Sequence, residues 1–128
     1  MIEHASIFHA EDNPDWATSF SGLLEDFSPH KVTARANDLH SALIQVPQFK
    51  AKNIHLAILD QNLDSSEPDV DHGLVVATAI RETHGENFPV FSLSSASKEN
   101  PPAWSKFHIP KIEISERFPE LIDRINKL

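Results

Sequence analysis

The most constraining feature of the chain is a four-residue apolar run, Leu56-Ala57-Ile58-Leu59, that stops at Asp60. A short unbroken apolar run ended by a polar residue reads as a strand buried on both faces, as in a parallel sheet. In open α/β sheets, ligands bind just beyond the carboxyl ends of the strands. Asp60 is therefore expected at the mouth of a site, and the question is which residues the rest of the chain brings to it.

The flanking sequence alternates between strand and helix signals. Ala5 to Ala10 reads as a first strand, followed by Glu11-Asp12-Asn13-Pro14, a turn and helix start. Trp16, Phe20, Leu23, Leu24 and Phe27 recur at spacings of three and four, which predicts an amphipathic helix that ends at Ser28-Pro29. Lys31 to Ala36 alternates as a more exposed strand. Asn37 or Asp38 caps a second helix with Leu39, Ala42, Leu43 and Val46 on one face. After the Ile54–Leu59 strand comes a polar loop from Gln61 to His72, then a helix over Leu74 to Arg81 and a fourth strand over Phe88 to Leu93. Phe107 to Ile114 is a fifth strand interrupted by Pro110. A last helix opens at Ser115-Glu116, with Pro119 in its first turn, where proline is harmless. Five β-α repeats imply a parallel sheet covered on both faces. The segment from Ser97 to Lys106, with Pro101-Pro102, leaves room for only a short or irregular fourth helix.

Composition narrows the chemistry. The chain has 128 residues, enough for one domain with a core, and no cysteine. Disulfides, thiolate nucleophiles and cysteine-based zinc sites are thereby excluded. The formal charge of −8 at pH 7 argues against non-specific nucleic-acid binding. No apolar run approaches membrane-spanning length, and the N-terminus shows no signal segment, so a cytoplasmic location is expected. The eight histidines are scattered, without a helical His-x-x-x-His pair, and are expected on the surface or at strand ends rather than around zinc. The three glycines form no phosphate-binding loop.

Polar groups nonetheless collect at three strand ends: Glu11 and Asp12 after the first, Asp60 after the third, Ser94 and Ser95 after the fourth. In a parallel sheet these ends share one edge. Three carboxylates there repel one another unless a cation neutralises them, and hard oxygen ligands suit Mg²⁺. A carboxylate so placed is a legitimate nucleophile toward phosphorus. Catalysis would then be positioning and charge neutralisation.

The stretches Phe8-His9-Ala10-Glu11-Asp12-Asn13-Pro14, Leu59-Asp60-Gln61-Asn62-Leu63, Asp71-His72-Gly73 and Phe88-Pro89-Val90 leading to Ser94-Ser95-Ala96 resemble the receiver domains of bacterial two-component response regulators. The resemblance covers essentially the whole chain. It implies a flavodoxin-like (βα)5 doubly wound sheet in strand order 2-1-3-4-5. It implies Asp60 as phosphoacceptor, and Glu11, Asp12 and Asp60 as Mg²⁺ ligands, with the Asn62 carbonyl completing the shell. Ser94 matches the switch hydroxyl that turns toward the phosphoryl group. Ala96, small and two residues on, leaves the site open to water, and with Asn62 it bears on autodephosphorylation. The implied partners are a histidine kinase or histidine phosphotransfer protein and a downstream protein target, with no nucleic acid and no membrane. The implied state is a monomer or weak homodimer of a single domain without an output domain. Receivers catalyse their own phosphotransfer and dephosphorylation but act as regulators.

The chain departs from that pattern in two places. Position 64 is aspartate where the family has proline, and the glycine is delayed to Gly73. Asp64 to His72 therefore reads as an insertion of about five residues, within ordinary loop variation. Its Asp64, Glu67, Asp69 and Asp71 either tune metal affinity and partner choice or are solvated loop charges. The family's fifth-strand lysine is followed by proline, whereas here the order is Ile109-Pro110-Lys111. Aligning the prolines puts Ile109 in the lysine slot; aligning the lysines puts Lys111 there, re-aimed by a bend at Pro110. A one-residue slip turns a strand side chain to the other face, so the difference matters. Lys106 and Lys98 are poorer candidates. With Lys111 in the slot, the family's aromatic switch position falls on His108. Trp16 is expected at the site rim, and Trp104 over the thinned fourth-helix region.

These departures keep open a pseudo-receiver, a phosphorylation-independent interaction module that keeps the fold without the switch. A small flavin binder lacks support, because an acidic pair after the first strand repels phosphate.

Overall fold

The computed structural model describes residues 2–96 and 99–128. Within it the β-α alternation of the sequence becomes strands β1 Ser6–Ala10, β2 Lys31–Ala36, β3 Leu56–Leu59, β4 Val90–Ser94 and β5 His108–Pro110. The helices are α1 Pro14–Phe27, α2 Leu39–Gln45, α3 His72–His84 and α4 Ile114–Asn126. All strand pairs are parallel, in the order β2-β1-β3-β4-β5. The expected doubly wound, flavodoxin-like architecture is what forms. Among the described residues no helix lies between β4 and β5.

Alternation along the strands divides the core into two layers. Phe8, Ala10, Ala57, Leu59 and Val90 pack with Val76, Ala77 and Ile80 of α3 and with Ala42 of α2. Ile7, Leu56, Ile58, Phe91, Leu93 and Ile109 pack with Phe20 and Leu24 of α1 and with Phe118, Leu121 and Ile125 of α4. All four residues of β3 are buried, because helices cover both faces of a central strand. The end of such a strand is one of the few points where it can present a polar group. Trp104 is buried in the α3 layer and takes part of the cover that a fourth helix would supply.

Helix starts follow the expected caps. Asn13 Oδ1 accepts from the Trp16 amide at 3.0 Å, and Asp38 Oδ1 accepts from the Ser41 amide at 2.7 Å. No described helix is long and apolar enough to cross a membrane.

Three expectations need correction. The fifth strand does not run to Ile114. It ends at Pro110, and Lys111–Glu113 form a single 3₁₀ turn that leads directly into α4. Proline has no N–H to continue a ladder, so the chain turns where the sequence suggested only an interruption. α4 therefore begins at Ile114, and Pro119 lies one turn inside it rather than in its first turn. The forfeited bond would have ended on Ser115, which is exposed to water, as is Pro119.

The histidine expectation fails at His72, which is buried at the start of α3; His30 and His108 are buried at strand ends and His9 inside β1. Imidazole can accept from a backbone amide that a strand end or loop leaves unpaired. His30 Nδ1 accepts from Ala5 N–H at 3.0 Å, and His72 Nδ1 accepts from Leu63 N–H at 3.0 Å.

His9 differs from these. It lies in β1 against Phe20, with ring centroids 4.9 Å apart, and among the described residues neither ring nitrogen has a hydrogen-bond partner. Burial, and secondarily the charges of Arg35 and Lys111, lower its pKa from 6.5 to about 3. The folded chain keeps His9 neutral while the unfolded chain protonates it below 6.5, so this residue withdraws stability as the pH falls below that value. His9→Leu is expected to stabilise the fold by about 1–3 kcal/mol at neutral pH, since an unpaired buried polar group is removed. That advantage should widen by about 1.4 kcal/mol per pH unit on acidification. Urea unfolding of both proteins near neutrality and near pH 5 checks this; a pH-independent difference would contradict it.

Candidate functional site

The strand ladders continue one residue past β1 and β3, and this fixes where two carboxylates emerge. Glu11 N–H donates to Ala36 O at 3.0 Å, and Asp60 N–H donates to Ala10 O at 3.0 Å. Glu11 and Asp60 are both buried, whereas Asp12 is half-buried. One ligand atom from each of Glu11, Asp12 and Asp60 lies within 4.8 Å of the others. The second oxygen of each buried carboxylate is oriented by backbone: Asn13 N–H donates to Glu11 Oε2 at 3.1 Å, and Asn62 N–H to Asp60 Oδ1 at 3.3 Å.

Lys111 comes from the opposite side. It opens the 3₁₀ turn after Pro110, and its Nζ lies 2.7 Å from Asp60 Oδ2 and 2.6 Å from Glu11 Oε1. The bond to Asp60 is aligned. The closer approach to Glu11 Oε1 is an ion pair off the hydrogen-bonding direction, which leaves that buried oxygen without an aligned donor. The Trp16 ring lies 5.2 Å from Nζ, close enough for cation–π attraction, and stands at the rim as expected. Ile109 is fully buried in the apolar layer, so of the two candidate registers only Lys111 reaches the carboxylates. Lys106 is exposed at the far end of β5, and Lys98 lies outside the described residues.

The electrostatics follow from this crowding. Burial pushes Glu11 up to about 7; the contact with Lys111 opposes the rise and the charge of Asp60 adds to it. For Lys111, burial works toward a lower pKa, but the bond to Asp60 and the ion pair with Glu11 outweigh it and the net direction is up. The ammonium is thus firmly charged, and three carboxyl groups share one cation. Buried hard oxygen donors from two strand ends, one without an aligned donor, are a chemically apt set for Mg²⁺.

The remaining expected residues are placed less directly. Ser94 ends β4, buried, and its Oγ accepts from Ala96 N–H at 3.3 Å; among the described residues no hydrogen bond joins it to Asp60. Ser95, exposed, shares with Asp60 the wall of a roughly 210 Å³ cleft. The Asn62 side chain turns outward, its amide donating to Glu67 O at 2.7 Å and Val70 O at 3.0 Å. His108 sits against Ser92 Oγ at 2.6 Å and Ala96 O at 3.0 Å.

The acidic loop is folded rather than merely solvated. Asp64 binds the Ser66 amide and hydroxyl, Glu67 Oε1 lies 3.2 Å from His72 Nε2, and Asp71 caps α3 through the Leu74 amide at 2.9 Å. Asp71 also accepts from Gln61 Nε2 at 3.3 Å and from Trp104 Nε1 at 3.1 Å. Gly73 sits under this cluster. A Cβ there would lie 2.5 Å from the Trp104 ring and 2.7 Å from Asp60 O. Sequence reasoning missed the grouping of Gln61, Asp71, Gly73 and Trp104. The available signal was a glycine at the point where the polar loop meets the third helix.

Two outcomes follow from this geometry. Gly73→Ala should cost about 1–3 kcal/mol through overpacking against Trp104 and Asp60, measured by chemical unfolding; a neutral or stabilising effect would contradict the close approach. For Glu11 the folded pKa of about 7 lies above the ordinary 4.5. Without divalent cations the stability it contributes is present at low pH and lost as the pH rises from 4.5 through 7. Glu11→Gln cannot ionise, so in chelator its stability relative to wild type should rise from about pH 5 to about pH 8. An unchanged difference would contradict a proton-retaining Glu11.

Neither a protein-family model nor a curated protein matches the sequence. Solved structures do match the fold. The response regulator domain of Thermotoga maritima CheB superposes with a TM-score of 0.75 at 15% identity, covering 96% of this chain and 94% of that one. The RcsB response regulator of Salmonella typhimurium gives 0.73 at 16%, covering 98% of this chain and 61% of the RcsB chain. A chain in the complex of the CheA3 P1 domain with CheY6 from R. sphaeroides gives 0.65 at 16%, covering 93% and 97%. The structural neighbours are response regulator receiver domains, and the chain has the receiver-domain fold.

Proposed function

We propose that the chain is a phosphoacceptor receiver that takes a phosphoryl group from a phosphohistidine donor onto Asp60. The observation that carries this reading is the juxtaposition at one sheet edge of Glu11, Asp12 and Asp60 with the Lys111 ammonium 2.7 Å from the acceptor carboxylate. An Asp60 oxygen attacks phosphorus, the P–N bond breaks, and the donor imidazole departs with its bonding pair and takes up a proton. The product is an acyl phosphate on Asp60. Glu11, Asp12 and Asp60, with the Asn62 carbonyl, would hold Mg²⁺, which supplies charge neutralisation at the transferring oxygens. Lys111 supplies a fixed positive charge from the β5 side, and the Asn62 amide orients the acceptor carboxylate. Ser94 is the hydroxyl proposed to turn toward the phosphoryl oxygens. The roles of Ser94, Lys111 and the metal ligands belong to this proposal.

The partners proposed are a histidine kinase or phosphotransfer protein upstream and a protein target downstream. A neighbour's structure contains the P1 domain of CheA3 with CheY6, which supports protein partners of this kind. One observation favours a second reading, a phosphorylation-independent interaction module: among the described residues no helix lies between β4 and β5.

Incubation with acetyl phosphate and Mg²⁺ separates the two. Intact-mass analysis should show one added phosphoryl group on wild type, none on Asp60→Asn, and loss of the adduct in chelator. Lys111→Ala should keep Mg²⁺ binding but lose most of the phosphorylation-induced change in amide spectra. No adduct on wild type at saturating Mg²⁺ would overturn the phosphoacceptor reading and leave the interaction module.

A further inference from the structure

We infer that Trp104 is a positioning residue that couples the Asp60 segment to the connection ahead of β5, in the part of the fold where a fourth helix would otherwise report on the site. This inference rests on the phosphoacceptor reading and adds a route by which occupancy of Asp60 is felt elsewhere. The indole is buried, and its N–H donates to both Asp71 oxygens, at 3.3 and 3.1 Å. Asp71 in turn accepts from Gln61, the residue after Asp60, and caps α3. The backbone closes the same circuit, because Gly73 N–H donates to Gln61 O at 3.0 Å. The indole lies so close over Gly73 that no Cβ fits beneath it. From the other side, Arg81 Nη2 donates to Trp104 O at 2.6 Å, so the tryptophan backbone is tied to α3 as well.

One side chain therefore joins three pieces: the Asp60-Gln61 segment, the start of α3, and the stretch that enters β5. The hydrogen bonds are directional, and the ring packs directly on Gly73. A shift of the Asp60 end cannot be absorbed at Gly73 without moving the ring or breaking its bond to Asp71. Trp104 is not a catalytic residue, since it touches neither the acceptor carboxylate nor Lys111 in any hydrogen bond.

The two indole N–H signals of ¹⁵N-labelled wild-type protein carry the test, assigned with Trp16→Phe. Mg²⁺ with beryllofluoride should shift the Trp104 indole signal by more than its linewidth, and Asp60→Asn should abolish the shift. Asp71→Asn keeps an oxygen to cap α3 but places an NH₂ toward the indole. It should move the Trp104 signal in the free protein and remove its response, while ¹⁹F spectra still show beryllofluoride bound. Bound beryllofluoride with an unmoved Trp104 signal in wild type would overturn the coupling alone, whatever the stability of the variant. A response that persists in folded Asp71→Asn would also overturn it. Absence of Asp60-dependent ¹⁹F signal would overturn the phosphoacceptor reading and the coupling together.

Discussion

The Lys111 ammonium, held between Glu11 and Asp60, is the interaction on which the geometry of this site depends. Carboxylates from the ends of β1 and β3 are brought together by the sheet, not by mutual attraction, and burial raises the cost of their charge. A buried ion pair is poor evidence for net stability, because desolvation offsets much of the attraction. It is better understood as a device that fixes where charge sits. Here it holds two carboxylates in a common orientation, with the Asn13 and Asn62 amides oriented toward their other oxygens.

Much of this was legible in the residues. The apolar run ending at Asp60 required a buried strand with a polar end, and the β-α alternation required that Glu11, Asp12 and Asp60 share an edge. Lys111 was harder to place, because Ile109-Pro110-Lys111 supports two registers. The structure resolves the geometry through Pro110, which ends β5, so that Lys111 leaves the strand's alternation and swings across the edge while Ile109 stays in the core. The early stop of β5 and the position of Pro119 were missed for one reason: periodicity cannot distinguish a strand residue from the first residues of a turn that runs on into a helix. The burial of His72 was missed because pattern reasoning sees polarity, not which backbone amides a loop leaves unpaired. The Trp104 cluster depends on contacts across more than thirty residues of chain, which no local signal encodes.

The departures from the receiver pattern share a physical logic. The acidic loop is pinned by Asn62, His72 and Asp71 rather than left loose. Where the β4–β5 connection lacks a described helix, a single tryptophan fills the layer and bonds to that same loop. Loop and connection meet above Gly73, where Trp104 bonds to Asp71. The acidic residues thereby divide into two kinds: Asp64, Glu67 and Asp71 are structural partners, and Asp69 remains an exposed charge beside the Asp60 cleft.

The central claim is that Glu11, Asp12 and Asp60 are gathered to hold a divalent cation around an acceptor carboxylate. Calorimetric titration of the wild-type chain with Mg²⁺ at about pH 8 tests it most directly, with Asp12→Asn as the comparison. Of the three carboxylates proposed to hold the cation, Asp12 is the one whose loss disturbs neither the Lys111 pair nor the strand ends. The expected result is one saturable site in wild type, weakened at least about tenfold in Asp12→Asn. Equal binding by both proteins, or none by wild type, would contradict the account.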